Sequence, residues 1–301
     1  MGYGHWTRTD FISYNVSKGR TVTASGTLDA RLTDRQIFTQ IGLHPRLNPR
    51  NVLRECCDSE EHPETVPVIL ALDVTGSMGP ASAEVAKKMN EVMTALCGRI
   101  KDVEFMVMGI GDLAYDKVPI QISQFESDIR IAEQLDLIYM EHGGGGNEYE
   151  SYTAAWYMGL NHTKLDCWKR GKKGLIITMG DETLNPYLPK EPLSLATGDP
   201  LQSDVETEIL YQEASEKFEI YHIFVNHPPM SRFRDAARDT FGKLLPEGHL
   251  QESTVVGISS KLTKIISDFA QNGEKQRNVI SWQTGDKPDE SRKGIHRIFS
   301  W

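Results

Sequence analysis

The stretch that decides the fold reads Val68-Ile-Leu-Ala-Leu72-Asp73-Val-Thr75-Gly-Ser77-Met-Gly-Pro80. Its run of apolar residues predicts a strand that is buried on both faces, as in a parallel sheet covered by helices. The strand leads into a polar turn, and Pro80 marks the start of a helix because proline is tolerated in the first helical turn. From Val85 to Ile100 apolar residues recur every three or four positions, which predicts an amphipathic helix.

The same alternation of strands and helices continues to about residue 270. Further strands are predicted at Val103–Ile110, Leu137–Met140, Gly174–Thr178 and Ile220–Val225, with helices near 129–135, 152–160, 204–218 and 258–269. Strands that alternate with helices form right-handed crossovers, so we expect a doubly wound, mainly parallel α/β sheet with helices on both faces. This domain is expected to span residues 67–272, between an N-terminal extension (1–66) and a C-terminal tail (273–301). Within the extension, a strand is expected at 21–27 and a short helix at 33–41, capped by Thr33 or Asp34.

Composition narrows the class of protein. The chain has 301 residues, of which 39% are hydrophobic and 25% charged, a balance typical of globular proteins. Acidic residues outnumber basic ones by 42 to 33, which argues against a nucleic-acid surface. No apolar run is long enough to cross a membrane, and the first residues lack the apolar core of a signal peptide. The four cysteines form neither a CxxC pair nor a disulfide framework, so a cytoplasmic location is expected.

Three polar loops follow predicted strands: Asp73–Ser77, Gly143–Asn147 and Asp181–Glu182. In an open α/β sheet the ligand site lies at the carboxyl ends of the strands, so these loops are expected to converge. The first loop offers one carboxylate and two hydroxyl groups, and Asp181 adds a second carboxylate. Hard oxygen donors of this kind suit Mg²⁺, with water completing the shell. The pattern therefore predicts a divalent metal site.

With these motifs the sequence resembles the von Willebrand factor type A family. The metal-ion-dependent adhesion site of that family begins with Asp-x-Ser/Thr-x-Ser after the first buried strand, as in Asp73-Val-Thr75-Gly-Ser77. Its second loop follows a Gly-Gly pair, here within Gly143–Gly146, and its third carboxylate matches Asp181. The resemblance covers roughly residues 66–270 and implies that Thr75 and Ser77 bind the metal directly. Asp73 and Asp181 would then act largely through water.

The sequence departs from the family at the second and third loops. Where the family has Thr, this chain has Asn147, followed by Glu148, Glu150 and Ser151, so Asn147 is the expected ligand and Glu150 or Ser151 the alternatives. The third loop reads Thr178-Met-Gly-Asp181-Glu182 in place of Thr-Asp-Gly, which leaves Glu182 as a possible substitute for Asp181.

The resemblance also implies a function. The chain looks more like the stand-alone bacterial and phage members of the family than like its secreted adhesion domains, and a protein-binding module is expected. A partner would present an acidic residue to the open position of a bound Mg²⁺, Mn²⁺ or Ca²⁺. A MoxR-like AAA+ ATPase is a candidate for the assembly, because such ATPases often work with stand-alone members.

An enzymatic alternative is a haloacid-dehalogenase-like, Mg²⁺-dependent phosphotransferase with Asp73 as nucleophile. In this interpretation Gly180-Asp181 would be the Mg²⁺ motif, and Lys172 or Lys173 the phosphate-binding lysine. Val74 stands where that family has lysine, and Asn185 replaces the second acidic residue of its Gly-Asp-x-x-x-Asp motif. The binding module is therefore the preferred hypothesis.

Other polar residues have simpler interpretations. No histidine pair has a recognised zinc spacing, so His62, His142, His222 and His227 are expected to be packed or surface residues. The segment Asp58–His62 is expected to be a solvated connector at the amino end of the first strand. Asp112 and Asp116 follow the second strand and are expected either to border the metal site or to form a turn.

Overall fold

The computed structural model describes residues 4–143, 147, 149–226 and 233–284, with the backbone alone for 273–284. Part of the glycine loop (144–146), Glu148 and the end of the C-terminal tail lie outside the described residues. Within the described ranges, no helix is long and apolar enough to cross a membrane.

A six-stranded sheet forms the centre of the α/β structure. Its order is β12-β11-β7-β2-β3-β4, and every neighbouring pair is parallel except β3 and β4. These strands are β2 (Val66–Asp73), β3 (Val103–Ile110), β4 (Ile120–Ile122), β7 (Gly174–Gly180), β11 (Phe218–Val225) and β12 (Leu250–Ser253). Short strands outside this sheet are β1 (Arg54–Cys56), β5 (Tyr149–Glu150), β6 (Thr163–Leu165), β8 (Thr183–Leu184), β9 (Tyr187–Leu188) and β10 (Val205–Glu206).

Helices lie along the chain between the strands. They are α1 (Arg8–Ser17), α2 (Asp34–Ile37), α3 (Gly79–Cys97), α4 (Arg130–Leu135), α5 (Thr153–Asn161), α6 (Lys190–Thr197), α7 (Thr207–Lys217), α8 (Arg234–Phe241) and α9 (Ile258–Thr284). The predicted helices in the 67–272 region correspond to α3, α4, α5, α7 and α9, and α9 continues beyond its predicted end. The mixed α/β class with a mainly parallel central sheet is thus confirmed.

The position of β2 at the centre of the sheet explains why this strand is apolar at almost every position. Val68, Leu70 and Leu72 belong to one hydrophobic cluster, which includes residues of α3 and α9. Ile69 and Ala71 point to the other face and join a second cluster, which includes residues of α5, α7 and α8. Side chains alternate across a strand, so a strand buried on both faces needs apolar residues at every position.

The N-terminal residues share this core with the sheet. Trp6 and Phe11 are buried in the same cluster as α3. The indole nitrogen of Trp6 donates to the Oδ1 atom of Asn90 on α3 at 3.1 Å. Residues of the N-terminal extension therefore help to cover one face of the sheet.

Two predicted strands are wrong. Leu137–Met140 forms no strand, because the side-chain amide of Gln121 takes the place of a neighbouring backbone. It donates to the Tyr139 carbonyl and accepts from the Tyr139 amide, both at 2.8 Å. Residues 21–27 form no strand either, and only an isolated bridge joins Val22 to Leu28. The predicted helix at 33–41 is shorter than expected, but Thr33 and Gln36 form a capping box at its start.

Candidate metal centre

Asp73 ends β2 and is fully buried. Its Oδ1 atom accepts hydrogen bonds from the amide of Thr75 at 2.9 Å and from the Thr75 hydroxyl at 2.5 Å. Its Oδ2 atom accepts from the hydroxyl of Tyr152 at 2.9 Å. A one-turn 3-10 helix (Gly76–Met78) then leads into α3, and Ser77 is partly exposed at this point. The carboxylate and both hydroxyl groups of the predicted motif thus lie on one short loop.

The second loop is held against the first by backbone hydrogen bonds. The amide of Gly76 donates to the carbonyl of Gly143 at 3.0 Å, and the amide of Glu141 donates to the carbonyl of Val74 at 2.8 Å. A Cβ atom on Gly76 would lie 3.2 Å from the backbone of His142, so a side chain there would crowd the two loops. The predicted convergence of these two loops is confirmed for the described part of the second loop.

Asn147 and Ser151 turn towards the loop that follows β3. The Asn147 amide donates to the Oδ2 atom of Asp112 at 2.6 Å, and its Oδ1 atom accepts from the Tyr149 amide at 3.4 Å. The Ser151 hydroxyl oxygen accepts from the Leu113 amide at 3.0 Å. Both side chains are therefore engaged with neighbours other than Asp73, although both lie near the site.

Glu150 lies deeper in the same loop. It is 3% exposed, and its strand β5 pairs with β8, which follows the third predicted loop. Burial raises the pKa of Glu150 to about 11, and repulsion by the Asp73 carboxylate is the next cause. Asp116, Glu182 and Asp112 raise it further. The Oε2 atom of Glu150 is buried without a hydrogen-bond partner.

Asp181 and Glu182 complete the third loop. Leu72 of β2 is paired with Met179 of β7, so Asp73 and Asp181 leave adjacent strands at the same edge of the sheet. Asp181 is fully buried, whereas Glu182 is partly exposed. Met179 and Gly180 separate Thr178 from Asp181, whereas Asp directly follows Thr in the family motif. Both residues belong to β7, which continues as far as Gly180, so Asp181 still lies at the end of this strand.

The electrostatics of these loops favour a cation. Burial raises the pKa of Asp73 well above its usual range, and the charge of Asp181 raises it further. Thr75 and Tyr152 oppose this shift by donating hydrogen bonds to Asp73. Buried carboxylates so close to one another are costly without a compensating positive charge. A divalent ion would supply that charge.

The donor set fits Mg²⁺ bound partly through water. In the described part of the chain, no three Asp, Glu, His or Cys side chains lie close enough together to hold an ion by themselves. An ion at this point would need donors besides carboxylates, and the hydroxyl groups of Thr75 and Ser77 are the ones that the resemblance implies. Mg²⁺ usually keeps several waters in proteins, so this arrangement suits its chemistry.

Tyr152 is a residue of the site that the sequence analysis placed only on a helix face. Its hydroxyl donates to Asp73 and accepts from the amide of Glu182 at 3.3 Å, so it joins the first and third loops. A Cβ atom on Gly180 would lie only 1.9 Å from this hydroxyl, so the tyrosine needs the glycine. Gly180 is the last residue of β7, and a glycine in a strand can mark a place where another group approaches closely, so Gly180 was the available signal.

Of the four histidines, His227 lies outside the described residues, and the other three have different surroundings. His222 is fully buried, shares a 2.8 Å hydrogen bond with Thr178 and stacks on Phe241. Burial lowers the pKa of His222 to about 3, so it is a neutral packed residue, as expected. His142 is exposed and its Nδ1 atom lies 3.6 Å from an Asp34 carboxylate oxygen.

His62 belongs to a buried polar cluster, so the prediction of a solvated connector is wrong for this residue. Its ring nitrogens lie 3.3 Å from Asp102 Oδ1 and 3.2 Å from Ser127 Oγ. The Ser127 hydroxyl donates to the carbonyl of Gly4 at 2.5 Å, and all three side chains are buried. Asp102 directly precedes β3, so the cluster is at the opposite end of the sheet from Asp73 and anchors the N-terminal segment.

The lysines required by the phosphotransferase alternative lie far from Asp73. Lys172 and Lys173 immediately precede β7, at the amino edge of the sheet. The Lys173 ammonium group donates to the carbonyl of Ser215 at 2.6 Å. Asn185 is buried and donates to the Thr153 hydroxyl at 2.6 Å. This geometry gives Asp73 no neighbouring lysine from that pair.

Comparisons with known proteins concern the fold. No family model matches the chain, and no curated protein matches it. A crystal structure of the pilus adhesin SpaC from Lactobacillus rhamnosus GG aligns over 71% of this chain and 31% of its own, with a TM-score of 0.50 and 13% identity. At that identity the likeness shows a shared fold alone.

Two further structures are similar to a lesser degree. The open conformation of the same adhesin aligns over 74% of this chain and 31% of its own, with a TM-score of 0.49 and 13% identity. Proximal thread matrix protein 1 from the mussel byssus aligns over 71% of this chain and 49% of its own, with a TM-score of 0.44 and 12% identity. This chain therefore spans less than half the length of each of these structures.

Proposed function

We propose that this chain is a von Willebrand factor type A domain that binds a protein partner through a divalent metal ion. The order of the central strands supports the doubly wound form of that fold. Numbered along the chain, the sheet reads 3-2-1-4-5-6, and its order reverses between β2 and β7. Ligand sites of doubly wound sheets lie at this reversal, beyond the carboxyl ends of the strands. Asp73 and Asp181 lie there.

The observation that carries the proposal is the set of buried carboxylates around the Thr75–Ser77 loop. Asp73, Asp181 and Glu150 are almost completely buried. This burial raises the pKa of Asp73 and of Glu150, and charge repulsion by a neighbouring carboxylate raises both further. Bound at this point, Mg²⁺ would offset two negative charges and offer an exchangeable position to an oxygen atom of the partner. Mn²⁺ or Ca²⁺ could occupy the same oxygen donors.

Within this site we propose Glu150, instead of Asn147, as the metal ligand from the second loop. The Asn147 amide is engaged with Asp112, whereas Glu150 Oε2 is buried without a hydrogen-bond partner. Thr75 and Ser77 would bind the ion directly, and Asp73 and Asp181 would act through water. Ser151 and Glu182 border the site without being required as ligands.

A binding role is preferred to phosphoryl transfer because Lys173 lies at the other edge of the sheet. The resemblance to stand-alone family members also leads us to propose a MoxR-like AAA+ ATPase as one partner. That assignment depends on the resemblance alone.

Calorimetric titration with Mn²⁺ tests the metal site. One ion should bind to the wild-type protein, and both Asp73→Asn and Glu150→Gln should weaken binding by ~30-fold or more, about 2 kcal/mol. Glu61→Gln removes an exposed acid and is the control that should bind Mn²⁺ as the wild type does. Equal affinities for all four proteins would refute the assignment. Phosphoester hydrolysis that disappears in Asp73→Asn would favour the phosphotransferase.

A further inference from the structure

The ring of His62 joins the N-terminal segment to the amino edge of the sheet. This segment, residues 4–6, is called the strap. The Nδ1 atom of His62 lies 3.3 Å from Asp102 Oδ1, and its Nε2 atom lies 3.2 Å from both the Gly4 carbonyl oxygen and Ser127 Oγ. A Cβ atom on Gly4 would clash with the Asp128 carboxylate, so the strap lies close against the segment that contains Ser127.

The hydrogen atoms available at these contacts determine the charge of His62. The Ser127 hydroxyl has one hydrogen atom and donates it to the Gly4 carbonyl at 2.5 Å. The Gly4 carbonyl and the Asp102 carboxylate can only accept, so each needs a hydrogen atom from the ring nitrogen that faces it. A neutral imidazole has a single N–H group and would leave the lone pair of its other nitrogen facing an oxygen atom. Only the imidazolium ion, with both nitrogens protonated, can donate at both ends.

Asp102 favours a positive charge on this ring. The side chains of His62 and Asp102 are only 2% and 3% exposed, and a buried carboxylate is costly without a positive partner. Asp102 also has a φ of 63°, which is uncommon for a residue other than glycine. Its carbonyl accepts from the Val66 amide at 2.8 Å, and its Oδ2 atom accepts from the Glu64 amide at 3.3 Å. The carboxylate is thus held in place by the backbone around the start of β3.

Other titratable groups lie near the ring. Glu104 on β3 is buried, its Oε2 atom has no hydrogen-bond partner, and the charge of His62 opposes the rise of its pKa to about 7. The exposed ring of His5 packs edge-on against His62, with 4.9 Å between the ring centroids. Glu126 forms an ion pair with Arg130 at 3.0 Å. Glu104 and His5 are therefore the alternative sources of any pH dependence at this place.

We infer that His62 is a pH-sensitive latch, which holds the strap while its ring is charged and releases the strap when one ring proton is lost. The remaining proton stays on the nitrogen that faces Asp102, because a hydrogen bond to a charged acceptor is the stronger one. The Gly4 carbonyl then faces a bare nitrogen atom, and this contact breaks. Trp6 leaves with the strap, so its hydrogen bond to Asn90 of α3 at 3.1 Å is lost as well.

Nitrogen-15 NMR on the full chain tests the latch, because one sample reports on both the ring and the strap. Long-range correlations show how many ring nitrogens of His62 carry a proton, and the indole N–H signal of Trp6 shows whether the strap is docked. Both signals are assigned in the wild-type protein through their proximity to Gly4 and Asn90, and the pH is raised from about 6 to about 9. The test variant is His62→Gln. The matched controls are His5→Gln and Glu104→Gln, which remove the alternative titratable groups.

At about pH 6 both ring nitrogens of His62 should carry a proton. Once the ring begins to lose one of them, the ratio of released to docked strap should rise ~10-fold per pH unit, because release is linked to a single proton. This dependence should persist in both controls and be absent from His62→Gln.

Two results in the wild-type protein would overturn the inference, even where His62→Gln does not fold. One is a His62 ring with a bare nitrogen at about pH 6, and the other is a Trp6 signal that stays in its docked position up to about pH 9. Loss of the pH dependence in His5→Gln or Glu104→Gln would overturn it too, since the switch would then belong to the residue that was replaced.

Discussion

The hydroxyl of Tyr152 is expected to matter more for metal binding than its place directly before α5 suggests. Tyr152→Phe removes one oxygen atom and leaves a ring of the same shape in a fully buried position. It also removes two hydrogen bonds, one donated to Asp73 at 2.9 Å and one accepted from the Glu182 amide at 3.3 Å. The first of these lowers the pKa of Asp73, so its loss favours the protonated carboxyl, which cannot serve the metal.

The magnitude follows from the charge of the acceptor. A hydrogen bond to an ionised group contributes about 1.5–3 kcal/mol, so Mn²⁺ binding should weaken by roughly 10- to 150-fold in Tyr152→Phe. The matched control is Tyr157→Phe on α5, the helix that Tyr152 directly precedes. The Tyr157 hydroxyl donates to Asp199 at 2.5 Å, away from the three loops.

Calorimetric titration with Mn²⁺ and urea unfolding measure the two consequences. Both variants should lose stability, by about 1–2 kcal/mol, because each loses a hydrogen bond to a carboxylate. Only Tyr152→Phe should lose metal affinity. If Tyr157→Phe weakened Mn²⁺ binding to the same extent, or if Tyr152→Phe left it unchanged, Tyr152 would have no special role in orienting Asp73.

Two further predictions concern buried positions. In Gly180→Ala the new methyl group would lie 1.9 Å from the Tyr152 hydroxyl, so the tyrosine must move. We expect urea unfolding to show a free energy of unfolding lower by about 1–3 kcal/mol, and calorimetry to show weaker Mn²⁺ binding. Burial raises the pKa of Glu104 from its ordinary value of 4.5 to about 7 in the folded protein, so the folded state holds this proton more tightly than the unfolded chain. The free energy of unfolding should therefore fall by up to roughly 3 kcal/mol as the pH rises from 4.5 to about 7. Urea titrations at several pH values should show that Glu104→Gln removes most of that fall, and an unchanged pH dependence would contradict the assignment.

Local patterns were enough to predict most of the central sheet. The apolar runs at β2, β3, β7 and β11 mark strands that helices cover on both faces, and a run of this kind is visible in the sequence without knowledge of its neighbours. The edge strands β4 and β12 were missed. A short edge strand is stabilised by its one neighbour, so its own sequence carries little signal.

The error at Leu137–Met140 has the same origin. These residues have the composition of a strand, but the amide of Gln121 satisfies the backbone of Tyr139. That side chain lies 18 positions away, and no local pattern indicates that it will replace a neighbouring strand. Strand propensity describes the conformation that a segment favours in isolation, and a tertiary contact can override it.

The sequence by itself determined the alternating architecture and the two ends of the site, Asp73 with its hydroxyl loop and Asp181 after a later strand. Both follow from short-range order, because a strand must end where the polar turn begins. The tertiary structure decided which other groups complete the site. Tyr152 reaches Asp73 across 79 positions of the chain, Asn147 turns to Asp112 across 35, and Glu150 is buried. Such contacts depend on how the strands are ordered in the sheet, and that order arises only when the helices pack on both of its faces.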